Sequence, residues 1–135
     1  STVDMKIYLE QLVRYFGEVS LPRDAEVTIV TSVDATALPV DKAIPCGLVV
    51  GELLMNACKH GFSDTKKGTI TVSLRSAKAE ATLSVSNDGA PLREEYATGA
   101  TGLGMTIVEA LVRQLDGTLR VRTANPVVFE IRFPL

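Results

Sequence analysis

Apolar residues recur at two different periods along this chain, and the period changes several times. In the first part they recur every three or four residues, which predicts an amphipathic helix that ends before Leu21. A strand follows where Val27, Ile29 and Val33 alternate with polar residues, and residues 37–40 predict a shorter extended segment. The apolar face of the first helix consists of Met5, Tyr8, Leu9, Leu12, Phe16 and Val19.

A second helix is predicted from an N-cap at Asp41 to about His60, with Gly61 in the left-handed position that ends many helices. This segment is apolar nearly all round, which is typical of a buried helix. Four polar residues interrupt it, and at ~100° per residue they fall on one stripe about two turns long. A polar stripe on a buried helix indicates either an internal ion pair or a polar cavity. Its members are Glu52, Asn56, Lys59 and His60.

The second half of the chain predicts two strand hairpins and a third helix. Alternation at 70–74 and 81–85 predicts the first hairpin, residues 107–115 carry helical spacing, and the last two strands pair across residues 124–126. This order predicts an α+β fold, a two-layer sandwich of a mainly antiparallel sheet with helices on one face. The other face of the sheet is expected to be partly solvated, with outward-facing Arg75, Arg120, Arg122 and Arg132.

A segment rich in glycine and small polar residues lies between the first hairpin and the third helix. It begins with Asn87-Asp88-Gly89 directly after a strand and ends with a glycine-rich start to the third helix. Free backbone N–H groups at such a helix start suit a phosphate, although each motif alone is common in proteins. Between them, Pro91 to Thr101 has few large apolar side chains, which predicts a short lid over a ligand.

Composition narrows the class of protein. A chain of 135 residues with 46% hydrophobic and 22% charged side chains is typical of one soluble domain that needs no disulfide or metal support. A net charge of −2 predicts no nucleic-acid partner and no contact with a membrane surface. No apolar segment is long enough to span a bilayer. Cys46 and Cys58 lie too far apart on one predicted helix to form a disulfide, so a reducing, cytoplasmic location is expected.

Three segments together resemble the nucleotide-binding boxes of one ATPase superfamily: the polar stripe of the second helix, the turn at residues 87–89 and the glycine-rich start of the third helix. Residues 52–62 resemble the N box of the gyrase, heat-shock chaperone, histidine kinase and MutL proteins, in the form typical of HWE-like sensor histidine kinases. Residues 87–89 lie where the G1 box lies, and residues 102–108 resemble the G2 box. The resemblance covers essentially the whole chain and implies a Bergerat ATP-binding fold, with ATP and Mg²⁺ as cofactors.

The resemblance also implies roles for the N-box residues. Asn56 would supply an amide oxygen to Mg²⁺, a hard cation that otherwise keeps water and phosphate oxygens as ligands. Lys59 and His60 would contact the phosphates or the ribose side of the nucleotide. Glu52 occupies the place of the general base in the ATPases of the superfamily, and in a kinase it would polarise the acceptor nitrogen or order the waters of the metal.

The G1 and G2 boxes would hold the two ends of the nucleotide, the adenine and the phosphates. The G1 box usually carries an Asp that accepts a hydrogen bond from the adenine amino group, but this chain has Asn87 at that place. Adenine recognition is therefore assigned either to Asn87 or to Asp88, next to Gly89. The phosphates would lie against the G2 residues Gly102, Leu103, Gly104 and Met105.

The implied activity is transfer of the ATP γ-phosphate to a histidine on another domain. Because the single histidine, His60, lies in the N box, residues 1–135 are expected to be one catalytic domain of a longer protein whose phosphoacceptor and dimerisation region precedes Ser1. The expected partners are ATP, that histidine domain and a response-regulator receiver domain. Two alternatives share the fold: an anti-sigma-factor-like serine kinase, and a degenerate docking module that has lost catalysis, which Asn87 suggests.

Overall fold

The computed structural model describes residues 1–21, 23–62, 67–92 and 103–135 of the chain. The helices are α1 (Met5–Val19), α2 (Val40–Asn56) and α3 (Leu103–Gln114), and a π-helical turn, Ala57–Gly61, continues α2. The strands are β1 (Thr2–Asp4), β2 (Glu26–Val33), β3 (Ala37–Pro39), β4 (Lys67–Ala77), β5 (Glu80–Asn87), β6 (Thr118–Thr123) and β7 (Val127–Pro134).

Five strands form the main sheet in the order β2-β4-β5-β7-β6. β2 is parallel to β4, and the other three pairings are antiparallel. Both predicted hairpins are present, since β4 pairs with β5 and β6 pairs with β7. The mainly antiparallel α+β fold predicted from the sequence is therefore confirmed.

One face of the sheet is apolar and lies under the helices. Alternate residues of β4, β5 and β7 are buried, as the two-residue period of a strand requires. α1 and α2 bury one side against them, with Leu9 and Leu54 fully buried. The opposite face is polar, and the four arginines predicted to face outward are all exposed.

The strand β1 was not predicted from the sequence, because three residues are too few to show an alternating pattern. It pairs antiparallel with β3 in a separate two-stranded sheet. Its last residue, Asp4, caps α1 by accepting a hydrogen bond from the Ile7 N–H at 3.2 Å. The Met5 N–H donates to Thr36 O at 2.9 Å, so the start of α1 is fixed beside the start of β3.

The second helix departs from its predicted form in two ways. Its N-cap is Pro39, which makes no side-chain capping bond, whereas Asp41 lies inside the first turn. Its apolar character does not mean burial on all sides, because Ile44, Leu48 and Met55 are 46%, 54% and 56% exposed on the side away from the sheet. The helix covers the sheet with one face and presents apolar side chains with the other.

The end of the third helix agrees with the prediction. Asp116 takes a left-handed conformation with φ of 56°, and the Gly117 N–H donates to Val112 O at 2.9 Å. Cys46 and Cys58 are free thiols, as their spacing predicted. None of the helices in the described part of the chain is long and apolar enough to cross a membrane.

Candidate nucleotide-binding site

The end of α2 carries the predicted polar stripe, but its geometry differs from a continuous α-helix. α2 ends at Asn56, and residues 57–61 form the wider π-helical turn. Such turns shift the side chains that follow them and occur often at functional sites. The prediction of one regular helix up to His60 was therefore wrong in its last turn, and none of the four polar side chains is fully buried.

Gly61 also differs from its prediction. It stays within the π-helical turn and does not adopt the left-handed conformation of a helix stop. A Cβ at this position would lie 3.0 Å from Oδ1 of Asn87. The end of β5 thus approaches the Gly61 backbone closely, and a larger residue here would require the Asn87 side chain to shift.

Three of the four stripe residues share one cavity. A cavity of about 460 Å³ opens between the C-terminal ends of α1 and α2. Glu52, Asn56 and Lys59 line it, whereas His60 is half-buried and does not. A carboxylate, an amide and an ammonium group thus face a space of small-ligand size. The remaining lining side chains, which the sequence pattern did not single out, are Phe16, Ser20, Met55 and Cys58.

Cys58 contributes a neutral group to this cavity. Burial raises the pKa of its thiol above the ordinary value of 9.0, so the thiol is protonated at neutral pH. It therefore adds no negative charge beside Lys59 or beside an anionic ligand. A neutral thiol is also a poor nucleophile, and Cys58 serves the cavity as a wall.

Asn56 connects the N box to the start of α3. Its Nδ2 donates a hydrogen bond to Sδ of Met105 at 3.7 Å, and Met105 is 4% exposed. This bond fixes the rotation of the Asn56 amide, so that its oxygen is directed away from the sulfur. Two segments that are 49 residues apart in the sequence thus meet at two residues that the sequence analysis assigned to metal and phosphate binding.

The turn after β5 is held in place by the side chain of Asn87 and by a bond to the π-helical turn. Asn87 is 6% exposed and is the one buried polar or charged residue within the described part of the chain. Its Oδ1 accepts the Gly89 N–H at 2.9 Å, and the Ala90 N–H donates to Gly61 O at 2.8 Å. A Cβ on Gly89 would lie 2.3 Å from that same carbonyl oxygen, so only glycine fits there.

Asp88 points to a different place from Asn87. It is exposed, and its Oδ1 accepts the Thr69 N–H at 2.8 Å while its own N–H donates to Thr69 O at 3.3 Å. This pair of bonds attaches the turn to the start of β4. The carboxylate of Asp88 is thus used in the structure, and Asn87 is the residue that faces the N box.

The structure therefore brings together Asn56 with Met105, and Asn87 and Gly89 with Gly61. The structure gives no such contacts for the rest of the predicted phosphate-binding segment and for the predicted lid. Gly102 and most of the predicted lid, residues 93–101, lie outside the described residues. For Leu103 and Gly104 only the helical backbone of α3 is described.

Comparison with known proteins assigns this arrangement to a family. Residues 41–135 match the model of the histidine kinase-, DNA gyrase B- and HSP90-like ATPases. These residues include nearly all of α2, the π-helical turn, the turn after β5 and α3, and so the contacts of Asn56 with Met105 and of Asn87 and Gly89 with Gly61. The chain belongs to this ATPase family.

Three similar proteins are histidine kinases or domains of them. Blue-light-activated histidine kinase 2 of Erythrobacter litoralis is 36% identical over 107 residues, which cover 76% of this chain and 30% of the relative. The solved histidine kinase domain of the Erythrobacter litoralis EL346 blue-light-activated kinase superposes with a TM-score of 0.90 at 26% identity, covering 98% of this chain and 66% of that one. Histidine kinase AdeS of Acinetobacter baumannii shares the fold, with a TM-score of 0.82 at 20% identity over 99% of this chain and 66% of that one.

Proposed function

We propose that this chain is the ATP-binding catalytic domain of a sensor histidine kinase, which transfers the γ-phosphate of ATP to a histidine on another domain. The observation that carries the proposal is the meeting of three separate segments around Asn56 and Asn87. The end of α2 bonds to Met105 at the start of α3 and, through Gly61, to the turn after β5. The histidine kinase names of the relatives support the same function.

Asn56 is the proposed protein ligand of Mg²⁺. A single amide oxygen suits Mg²⁺, because Mg²⁺ takes few protein ligands and keeps waters and substrate phosphate oxygens. The bond from Nδ2 to Met105 leaves the Asn56 oxygen available, and Glu52 lies one turn earlier on the same side of α2. When bound, the cation neutralises charge on the phosphates.

The base end of the nucleotide is assigned to Asn87 rather than Asp88. Asn87 is buried beside the N box, whereas the Asp88 carboxylate is exposed and accepts the Thr69 N–H. The Asn87 oxygen has a second lone pair beyond the one that accepts from Gly89, so it is able to accept a hydrogen bond from the adenine amino group. Gly89 lets the turn lie against Gly61, which holds Asn87 beside the N box.

The phosphate end is assigned to the start of α3 and to the cationic side of the cavity. α3 begins at Leu103, where free N–H groups and the helix dipole favour an anion. Lys59 lines the cavity and adds a positive charge, and His60 follows it in the π-helical turn. Gly102 and Gly104 belong to the same proposed phosphate-binding segment, as the resemblance implies.

The acceptor must approach from outside this pocket. In the transfer step the bond between the γ-phosphorus and its bridging oxygen breaks, a phosphorus–nitrogen bond forms at the acceptor imidazole, and ADP leaves. Glu52 faces the cavity and is the proposed group that hydrogen-bonds to the acceptor imidazole and polarises it. His60 lies in the π-helical turn of the proposed nucleotide site and is not the proposed acceptor.

The proposed activity also indicates the partners and the location of the protein. The phosphoacceptor histidine domain and a response-regulator receiver domain are the proposed partners, and use of ATP implies a cytoplasmic location. The narrower HWE-like subtype rests on the N-box residues Asn56, Lys59 and His60 and is part of the proposal. The chain spans about a third of the length of the curated relative. The proposal therefore concerns the phosphate-transfer step and not the other activities of a whole kinase.

Labelled ATP tests the proposed transfer. The chain alone is expected to remain unlabelled, while a longer natural form that includes a histidine-bearing domain is expected to gain an acid-labile phosphate on a histidine other than His60. An acid-labile label on this chain alone would contradict the proposal. An acid-stable label on a serine of an added protein would favour an anti-sigma-factor-like kinase instead.

A further inference from the structure

The side-chain amide of Asn87 has one group that the fold leaves unused. Its Oδ1 accepts the Gly89 N–H at 2.9 Å, whereas its Nδ2 donates to no acceptor among the described residues. The side chain is 6% exposed, so bulk water has little access to this NH₂ group. A buried donor without an acceptor is destabilising, and buried polar groups in proteins normally have a partner. The unused NH₂ group therefore indicates a ligand that brings an acceptor.

The orientation of this amide is fixed by its neighbours. A backbone N–H can only donate, so the side-chain atom that faces Gly89 must be the oxygen. A Cβ at Gly61 would lie 3.0 Å from Oδ1 and 3.8 Å from Nδ2, so the nitrogen is also the atom farther from the Gly61 backbone. Turning the amide over would lose the bond to Gly89 and set two donors against each other. Asn87 thus offers a ligand the Nδ2 donor and the second lone pair of Oδ1.

One free donor beside one free lone pair matches two kinds of purine edge. Adenine has an amino donor at position 6 and an acceptor nitrogen at position 1, whereas a 6-oxopurine has a carbonyl acceptor and an N1–H donor. With either base, Oδ1 accepts from the base and Nδ2 donates to it. An ionised carboxylate has acceptors alone, so it would bind the amino group of adenine and repel the 6-carbonyl. The Asn87 amide has no such means of excluding a 6-oxopurine.

The neighbouring carboxylate does not supply this selectivity. The Oδ1 of Asp88 accepts the Thr69 N–H at 2.8 Å, and the Asp88 N–H donates to Thr69 O at 3.3 Å. A Cβ at Gly68 would lie 2.6 Å from the same carboxylate oxygen, so the carboxylate is packed against the start of β4. Asp88 would have to break its bond to Thr69 to reach the base. Recognition of position 6 therefore depends on Asn87.

We propose that the nucleotide site binds 6-oxopurine triphosphates as well as ATP, and that Asn87 sets this dual specificity. The inference rests on the proposed nucleotide site and adds a second class of ligand to it. GTP and ITP are members of this class. Their 6-carbonyl accepts from Nδ2 of Asn87, and their N1–H donates to Oδ1. Their phosphates bind the same groups as those of ATP, because only the base differs.

Calorimetric titration of the 135-residue chain with Mg-ATP and Mg-ITP tests the proposal. ITP is the probe because it combines the ribose and phosphates of ATP with the 6-oxo edge and lacks the additional 2-amino group of guanine. The two dissociation constants are expected to agree within about tenfold. Mg-CTP, which has the same phosphates but no purine, is expected to bind more than about tenfold more weakly than Mg-ITP. CTP binding as tight as that of ITP would overturn the proposal, because the base would then not be recognised.

A single substitution assigns the selectivity to one residue. Asn87→Asp keeps the acceptor for the Gly89 N–H but replaces the free donor with an acceptor. It is expected to shift the ratio of the ITP and ATP dissociation constants toward ATP by about fiftyfold or more. Asn125→Asp makes the same chemical change at an exposed turn and is expected to leave the ratio unchanged. An unchanged ratio in Asn87→Asp would overturn the role of Asn87.

The side-chain amide resonances of Asn87 give a readout that needs no variant. On addition of Mg-ITP to the wild-type chain, the Nδ2 protons are expected to shift downfield as they bond to the 6-carbonyl. Saturation with Mg-ITP without any shift of these protons would overturn the proposal.

Failure of this inference can be told apart from failure of the proposed function. Binding of Mg-ATP together with a preference over Mg-ITP of more than about tenfold overturns the dual specificity alone. Absence of binding for both nucleotides at millimolar concentration overturns the proposed ATP site, and the inference with it.

Discussion

The amide nitrogen of Asn56 lies 3.7 Å from the sulfur of Met105 and donates a hydrogen bond to it. A sulfur is a weak acceptor, so the bond adds little stability but selects which way the amide faces. The Asn56 oxygen thereby makes no bond to the sulfur and is available for the proposed Mg²⁺. The residue at the end of α2 and the residue at the start of α3 act as one unit in the proposed site.

Replacing Asn56 is expected to reduce nucleotide affinity mainly when magnesium is present. Asn56→Ala removes the amide oxygen and should weaken Mg-ATP binding about tenfold, while affinity in the presence of a metal chelator changes little. Calorimetric titration under both conditions measures the difference. Met105→Leu, which keeps the apolar volume but removes the acceptor, is the matched variant and should give a smaller loss of the same kind. An equal loss with and without metal would show that Asn56 is structural.

Asn87 is expected to set both affinity and base selectivity. Asn87→Asp supplies a charged acceptor for the adenine amino group and should tighten ATP binding about five- to tenfold. The same change removes a donor that suits the guanine carbonyl, so GTP binding should weaken. Competition between the two nucleotides measures both effects. Asp88→Asn preserves the acceptor for Thr69 and is the control; base selectivity that follows Asp88 instead of Asn87 would refute the assignment.

Gly89 is expected to be essential for stability as well as for the site. Gly89→Ala places a Cβ 2.3 Å from Gly61 O and should lower the free energy of unfolding by about 1–3 kcal/mol. Gly51→Ala is the control, because no atom lies within 4 Å of its Cβ position on α2. That helical substitution should be stabilising by about 0.5–1 kcal/mol. Chemical denaturation of both variants measures the difference, and equal stabilities would contradict the close approach of the two turns.

Cys46 is expected to make the folded state sensitive to alkali. Burial raises the pKa of its thiol from 9.0 to about 12, with a smaller opposing effect from Lys42. Between these values the unfolded chain loses a proton that the folded chain keeps, so stability falls as pH rises, by at most about 1.4 kcal/mol per pH unit for one group. Denaturation of wild type and Cys46→Ala at pH 8 and pH 10 should show a smaller decline in the variant. Identical declines would mean that the thiol ionises freely in the fold.

Long periodic segments made most of the fold predictable. α1, α2 and both hairpins extend over enough residues for the period to be clear. The order of the sheet was not predictable in this way, because β2 pairs with β4 and β5 with β7, which are not consecutive strands. β1 was missed because three residues carry no period. The π-helical turn was not predicted, because a change of helical period over the five residues Ala57–Gly61 does not alter the spacing of apolar residues detectably.

The candidate site was predictable as a set of residues but not as a geometry. The motifs identified Asn56, Asn87 and Met105, which the structure places at the contacts between segments. Sequence spacing does not show that Asp88 bonds to Thr69, because Thr69 lies 19 residues before Asp88 in the chain and meets it only in the folded sheet. The choice between Asn87 and Asp88 therefore needed the fold.

Titration with Mg-ATP, observed through the backbone amide resonances, tests the central proposal most directly. Saturable binding with a dissociation constant between micromolar and millimolar is expected. The shifts should be concentrated at Asn56, at residues 87–90 and at Met105, with no change at Arg120 on the far face of the sheet. No shift at those residues and no heat of binding at millimolar Mg-ATP would contradict the assignment of this domain as the catalytic domain of a histidine kinase.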